Sequence, residues 1–379
     1  MKYYLIVGEK SGDLHASNLM KSIQHEDPEA DFRYFGGNAM QAVGGKLVRH
    51  HDSMAFMGFL EVIKNLGKIL GFLKECKKDI LSYQPDVIIA VDYSGFNLKM
   101  EKWAHKQNIK HFYYIAPKVW KKKKKRVVKI KKYVDRMFCI FPFEVDFFAK
   151  HNYPVDYVGN PSVDAVHNHQ VNKGFITDNK LSPEPIIAIL PGSRRQEIER
   201  MLEFMLEIYP DFDGYQFVVG AVPNYPKSYF EEIKEKYNVA VVYDQTFDLL
   251  AHAHCAVVTS GTATLETALF NVPQVVAYKT SWVSYQIAKY VLVSNNNKYI
   301  SLVNIIADKE VVRELIWRHE LTRENLSLEL RKVIDGEKRQ PILDGYKKVS
   351  TLLGHSGTSD RAARKMIRYL NPDYISENS

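Results

Sequence analysis

The sequence is poor in cysteine: three thiols, Cys76, Cys139 and Cys255, stand far apart in 379 residues. An odd and scattered set excludes a disulfide framework and suits reduced packing residues in cytosol. Long apolar runs are also missing. No stretch reaches the roughly 18 consecutive apolar residues of a spanning helix, and Tyr3 to Val7 run into a glycine turn with no basic segment ahead of them. The expectation is a chain neither secreted nor membrane-spanning. There is no internal repeat and no low-complexity tail, which removes solenoids and disordered chains from consideration. Metal-binding patterns fail on inspection. Asp211 and Asp213 form an Asp-x-Asp that lies before a strand, on the wrong edge of a sheet for a ligand, and so reads as solvated turn. His252 and His254 lack further ligands at zinc-like spacing. No metal and no cofactor is expected.

What is present is enough apolar material, 46% of residues, to fill two cores, and two domains is the expectation at this length. A net charge of +8 suits nucleic acid, an anionic membrane or a phosphorylated substrate. Much of it lies between Lys118 and Lys132, where Lys121, Lys122, Lys123, Lys124, Lys125 and Arg126 follow Trp120 without a break. The opening reads as strand (Tyr3 to Val7), glycine loop (Gly8 to Asp13) and helix (Leu14 to Gln24). Val87 to Val91, Phe112 to Ile115 and Met137 to Phe141 continue as buried parallel strands. Periodicity fails from Gly159 to Pro185, which reads as a linker. A second series follows with strands at Ile186 to Leu190, Gln216 to Gly220, Val239 to Tyr243, Cys255 to Thr259 and Gln274 to Tyr278. The fold class is therefore α/β, with two Rossmann-like domains facing across a cleft. The boundaries expected are 1–165 for the first domain, joined by a C-terminal helix within 350–379, and 166–349 for the second. In such sheets ligands sit outside the carboxyl ends of the strands, so the motifs at strand ends should carry function.

In LPGSRRQEIE (190–199) Ser193 and Gln196 make a capping-box pattern at a helix start beside Arg194 and Arg195. Amide donors, helix dipole and guanidinium all suit a diphosphate, the plain alternative being a capped helix with exposed arginines. VVTSGTATLE (257–266) repeats the pattern with a small-residue turn at Ser260 to Thr262. Glu266, one turn on, could accept from ribose hydroxyls, or simply be a first-turn glutamate. GEKSGD (8–13) lacks both the dinucleotide fingerprint and a P-loop ending. It can floor a sugar pocket, with Ser11 or Asp13 serving equally as an N-cap. Asp92, at the end of VIIAV, is either a general base or a helix cap. Between Phe59 and Leu81, Val62, Ile63, Leu66, Ile69, Leu70 and Leu73 recur at helical spacing among lysines. That is a core-facing helix or, with Lys121 to Lys123 nearby, a face for an anionic membrane.

Together these segments resemble the lipid-A-disaccharide synthases. GEKSGD (8–13), MGFLEV (57–62), PDVIIAVDYSGFN (85–97), PFE (142–144), VGNP (158–161), LPGSR (190–194), SGTATLE (260–266) and SLVNIIAD (301–308) occur in that family's order over nearly the whole chain. The resemblance implies a glycosyltransferase-B fold and an inverting, metal-independent transfer of 2,3-diacylglucosamine from its UDP derivative to 2,3-diacylglucosamine 1-phosphate. It implies Asp92 and Arg194 as catalytic, with Gly261, Thr262, Glu266 and Asn304 toward the UDP-sugar; Ser11, Gly12, Asp13 and Ser193, on the loops read above, are expected to line the same substrate. The apolar helix Ile63 to Leu73 is implied to be membrane-associating. It further implies a cytoplasmic protein held peripherally at the inner membrane of a Gram-negative bacterium, with a homodimer admissible and no nucleic-acid partner. The chain departs from the family pattern after Asp92, where Tyr93, Ser94 and Gly95 replace Ala-Pro-Asp. It departs again at Trp120, which lysines follow, and at Asn160, where histidine is usual. A UDP-N-acetylglucosamine 2-epimerase and a basic nucleic-acid binder are the competing classes; neither accounts for the ordered motifs.

Overall fold

A computed structural model describes residues 1–53, 66–117, 124–223, 225–279, 299–316 and 319–373. The chain divides into two compact units, Met1–Pro161 with His355–Ser379, and Ser162–Gly354. In the first, the elements run β1 (Lys2–Ile6), α1 (Lys10–Glu26), β2 (Asp31–Gly36), α2 (Asn38–Val43), β3 (Lys46–His50), α3 (Leu66–Tyr83) and β4 (Val87–Val91). They continue with α4 (Ser94–Lys106), β5 (Lys110–Tyr114), α5 (Lys124–Tyr133), β6 (Arg136–Cys139), α6 (Pro142–Ala149) and β7 (Asp156–Tyr157). Every strand pairing among the described residues is parallel, in the order β3-β2-β1-β4-β5-β6-β7.

Parallel sheets need helices over both faces, which is why β4 reads VIIAV with every side chain buried. One face packs Tyr4, Ile6, Ile88 and Phe35 against Cys76 and Ile80 of α3 and Phe96 and Met100 of α4. A neighbouring cluster joins Tyr113 and Met137 to Val127 and Ile130 of α5 and to Phe148.

At the unit boundary comes α7 (Pro161–Asn168), then α8 (Phe175–Asp178), β8 (Ile186–Leu190), α9 (Arg195–Leu206), β9 (Gln216–Ala221), α10 (Lys227–Tyr237) and β10 (Ala240–Tyr243). α11 (Thr246–His252), β11 (Ala253–Val258), α12 (Thr262–Leu269), β12 (Gln274–Ala277), α13 (Leu302–Ala307), β13 (Glu314–Leu315), α14 (Arg323–Ile334) and α15 (Arg339–Leu353) complete the second unit. Its sheet, also parallel, runs β10-β9-β8-β11-β12-β13. The final helix, α16 (Thr358–Leu370), returns to the first unit and packs on α1, where Ser22 Oγ donates to Asp360.

The expected α/β class stands, with several local corrections. The stretch Gly159 to Pro185 is not an irregular linker, for it contains α7 and α8. Helix α1 begins at Lys10, four residues before Leu14, so KSGD is its first turn and only Gly8 and Glu9 form the loop. Gly12 is there because a β-carbon would meet Val7 Cγ1 at 2.9 Å, and that close approach of helix to strand overrides its poor helix propensity. On α3, Leu73 is buried in the core and so cannot lie on a membrane, while Ile69 is partly buried against the same core. Leu70 is 55% exposed. Ile63 and Lys121 to Lys123, as well as the side chain of Leu66, lie outside the described residues.

Candidate active site

Each sheet reverses its strand order once, between β1 and β4 in the first unit and between β8 and β11 in the second. Loops leaving the two strands at such a reversal diverge to opposite faces and leave a crevice between them. Both reversals are lined by the motifs singled out above. GEKSGD leaves β1 and Asp92 leaves β4; LPGSR leaves β8 and SGTATLE leaves β11.

In the first unit, Asp92 and Tyr93 both take left-handed backbone, with φ of 45° and 43°. The Asp92 N–H donates to the Tyr114 carbonyl at 3.1 Å, which continues the ladder one residue past the strand. Its own carbonyl accepts from Tyr113 Oη at 2.5 Å and from Asn97 Nδ2 at 2.9 Å. The turn throws the Tyr93 ring over the β1 loop. A β-carbon on Gly8 would lie 2.2 Å from Tyr93 Cγ, so only glycine fits beneath it. The Asp92 side chain is half-buried at the end of its strand, a setting that suits a general base.

Of the other expected residues here, Ser11 is exposed and Gly12 is buried inside α1. Asp13 is buried and caps α2, not its own helix. Its carboxylate accepts from the N–H groups of Gly37 (2.7 Å), Ala39 (2.9 Å) and Met40 (3.2 Å). Three donors on one carboxylate leave it a structural task, so direct sugar binding by Asp13 is not what this geometry supports.

In the second unit the capping box expected of Ser193 and Gln196 is shifted by one residue. Gly192 turns with φ of 105°, the N-cap falls on Arg194, and the Glu197 carboxylate reaches back to the Arg194 N–H at 3.2 Å. The helix is still capped, while Ser193 and Arg194 stay exposed. The Arg194 guanidinium is 70% exposed and, among the described residues, paired with Glu197 at 3.4 Å, an exposed contact that it can leave for an incoming anion. Gly261 and Thr262, at the start of α12, are exposed, and a β-carbon at Gly261 would meet nothing within 4 Å. Glu266 is half-buried, and desolvation pushes it up to about 7. A carboxylate so placed gains from hydrogen-bond donors brought by a ligand.

Asn304 does not offer a free amide. Its Oδ1 accepts from Val311 N and Val312 N, and its Nδ2 donates to the Val312 carbonyl and to Glu314. Glu314 in turn accepts from Ile300 N, Ser301 N and Ser301 Oγ. This network pins the segment opening α13 beside α12, where Leu302 N donates to Thr264 Oγ1 and Ser260 Oγ to the Ile300 carbonyl. Any part Asn304 plays in nucleotide binding is therefore through that scaffold.

Asp211 is no free turn residue either: it pairs with Arg323 at 2.5 Å. His252 Nδ1 lies 2.9 Å from the Asp248 carbonyl, and His254 Nε2 lies 3.2 Å from that of Ile334. Sequence reasoning passed over His50, His51 and Asp52, whose ligand atoms lie within 4.8 Å of one another. There Asp52 N donates to His50 Nδ1, occupying that lone pair. It also passed over Glu101 on α4 and His111 on β5, both fully buried with no hydrogen-bond partner for their side chains among the described residues. Within LKMEKWAHK a single glutamate reads as a water-facing charge, and nothing local marks it as buried.

Two Rossmann-like sheets, each with its motifs at the strand-order reversal, define the class of glycosyltransferase-B folds. Solved structures of that shape include the UDP-GlcNAc 2-epimerase of Methanocaldococcus jannaschii in complex with UDP-GlcNAc and UDP, with TM-score 0.64, 14% identity, and 97% of this chain and 99% of that one covered. The glycotransferase of kitacinnamycin aligns equally well, with TM-score 0.64, 14% identity, and coverage of 97% and 98%. At such identities the likeness is one of fold. The sequence decides the family. A family model described as lipid-A-disaccharide synthetase matches residues 3–366. The lipid-A-disaccharide synthase of Myxococcus xanthus is 34% identical over 98% of both chains, and that of Geobacter metallireducens is 33% identical over 97% of this chain and 96% of its own. The chain belongs to the lipid-A-disaccharide synthase family and is a glycosyltransferase.

Proposed function

We propose that the chain transfers 2,3-diacylglucosamine from its UDP derivative to 2,3-diacylglucosamine 1-phosphate, giving a β-1,6-linked disaccharide 1-phosphate and UDP. The acceptor 6-hydroxyl attacks the anomeric carbon while the bond from that carbon to the diphosphate oxygen breaks. Asp92 takes the hydroxyl proton, a contribution of about 10²–10⁴ in rate. The electron pair leaves on UDP, whose new charge is met by Arg194 and the first-turn amides of α9 and α12. Glu266 accepts from the ribose hydroxyls, and attack opposite the leaving group inverts the configuration. No metal enters this scheme, because guanidinium and helix ends supply the positive charge.

The observation that carries this reading is the pairing of motifs: in each sheet both loops at the strand-order reversal are family motifs, and Asp92 of the first sheet and Arg194 and Glu266 of the second stand on them. We also place the protein at the cytoplasmic face of the inner membrane. No helix among the described residues is long and apolar enough to cross a bilayer. Leu70 and, among lysines on α5, Val128 at 68% exposure are apolar groups available to lipid.

The direct test is incubation with UDP-2,3-diacylglucosamine and 2,3-diacylglucosamine 1-phosphate in the presence of a chelator, followed by mass spectrometry. A disaccharide 1-phosphate is expected. An epimerised UDP-sugar formed without acceptor would overturn the assignment. Arg194→Ala should lower turnover by about 10²–10³, the usual effect of losing one donor to the leaving group's developing charge. Its unfolding midpoint should stay at the wild-type value.

A further inference from the structure

Two consecutive non-glycine residues in left-handed backbone, Asp92 and Tyr93, are a strained arrangement at the one strand end where the proposed base sits. Strain of this kind persists only where the surroundings over-determine it. Here the restraints converge on one atom, the Asp92 carbonyl oxygen. Tyr113 Oη reaches it from β5 at 2.5 Å and Asn97 Nδ2 from α4 at 2.9 Å. Asn97 Nδ2 lies also within 3.5 Å of the Val91 carbonyl and 3.4 Å of the Ile6 carbonyl, so it ties the turn to both central strands. The Asn97 N–H donates back to the Tyr93 carbonyl at 3.1 Å.

Neither Tyr113 nor Asn97 has any exposed surface, so neither can touch substrate. Burial raises the Tyr113 phenol well above its ordinary range, and it stays a proton donor across the working pH range. With the carbonyl clamped and the N–H held by Tyr114, both peptide groups flanking the Asp92 α-carbon are fixed. The direction of the Cα–Cβ bond, and with it the origin of the carboxylate, follows.

We propose that Tyr113 and Asn97 are positioning residues for the transfer reaction, acting through the Asp92 backbone to aim its carboxylate at the acceptor hydroxyl. The proposal rests on the reading of Asp92 as the base. A clamp that only stabilised the fold would affect stability and leave turnover per folded molecule alone. A positioning clamp lowers kcat with little change in KM, because misplacing a catalytic group by about 1 Å can cost 10²-fold in rate while binding is retained.

The test uses the full-length protein with UDP-2,3-diacylglucosamine and 2,3-diacylglucosamine 1-phosphate, and four forms: wild type, Tyr113→Phe, Asp92→Asn and the double variant. Tyr113→Phe removes one O–H and keeps the ring, and a urea midpoint verifies that it folds. The expected result is a kcat about 10- to 100-fold lower with both KM values within about twofold. In the Asp92→Asn background the same change should cost nothing further, since a residue acting through Asp92 has no effect once that carboxylate is gone. A kcat within about twofold of wild type for Tyr113→Phe, or an equal fold-loss in both backgrounds, would overturn the positioning role alone. Near-wild-type turnover by Asp92→Asn would strike the base reading itself and the proposal with it.

Discussion

Glu101 gives the sharpest test of the energetics. It lies on α4 with no exposed surface, both carboxylate oxygens lack a donor among the described residues, and desolvation pushes the group from 4.5 up to about 8. At pH 7 the folded chain therefore holds a proton that the unfolded chain has released. Unfolding free energy must fall as pH rises through the window from about 4.5 to about 8, at about 1.4 kcal/mol per pH unit, and level off above it. That amounts to about 3 kcal/mol of destabilisation at pH 7 and about 5 kcal/mol above pH 8.

His111 acts with the opposite sign. Fully buried and held neutral with its pKa lowered to about 3, it makes the fold gain stability as pH rises from about 3 to its ordinary 6.5. The two slopes oppose one another between about pH 4.5 and 6.5, and between pH 6.5 and 8 Glu101 acts without His111. Glu101→Gln keeps the shape and removes the titration. Its stability advantage over wild type, from urea unfolding at a series of pH values, should grow by about 2 kcal/mol between pH 6.5 and 8. A difference that stays flat across that interval would refute the reasoning, because it would mean that Glu101 does not change protonation between the folded and unfolded chain there.

Gly8→Ala sets a β-carbon 2.2 Å from the Tyr93 ring, which must leave its stack on Phe96; a loss of about 1–3 kcal/mol is expected in the urea midpoint. Asp13→Ala strips three backbone N–H groups of their acceptor at the start of α2 and should cost about 2–3 kcal/mol, read in the same way. Glu266 titrates near pH 7, and its ionised form is the better acceptor for ribose hydroxyls. UDP affinity measured by calorimetry should therefore gain, relative to Glu266→Gln, as pH rises from 6 to 8; a wild-type-to-variant ratio that does not change with pH removes Glu266 from the ribose.

The central strands were legible because each is buried on both faces and so reads as an unbroken apolar run: Val87 to Val91 and Ile186 to Leu190 match β4 and β8 residue for residue. β2, β3, β7 and β13 were not. β2 breaks its apolar run with Asp31 and Arg33, β3 is an edge strand carrying Lys46, Arg49 and His50, and β7 and β13 are each two residues long, with Glu314 serving the network around Ser301. The motif-bearing turns were visible for a related reason: a parallel strand must end in a turn, and small or charged residues there stand out against the apolar run before them. Tyr113 and Glu101 were invisible. A tyrosine within a buried strand looks like core, and only the register of β4 against β5 brings its hydroxyl to Asp92. The Ser193 cap was misplaced by one residue because the extra turn at Gly192, with φ of 105°, has no signature beyond the glycine itself.

The return of α16 to the first unit has a consequence for synthesis on the ribosome. α1, with Ala16, Leu19, Met20 and Ile23 buried, packs against α16, whose buried residues include Ala362, Ala363, Met366 and Ile367. At about 5–20 residues per second, the nascent amino-terminal unit waits about 10–40 s for its last helix while the intervening unit is translated. A sticky apolar stripe is thus on offer to chaperones, or to neighbouring nascent chains, for as long as that delay lasts.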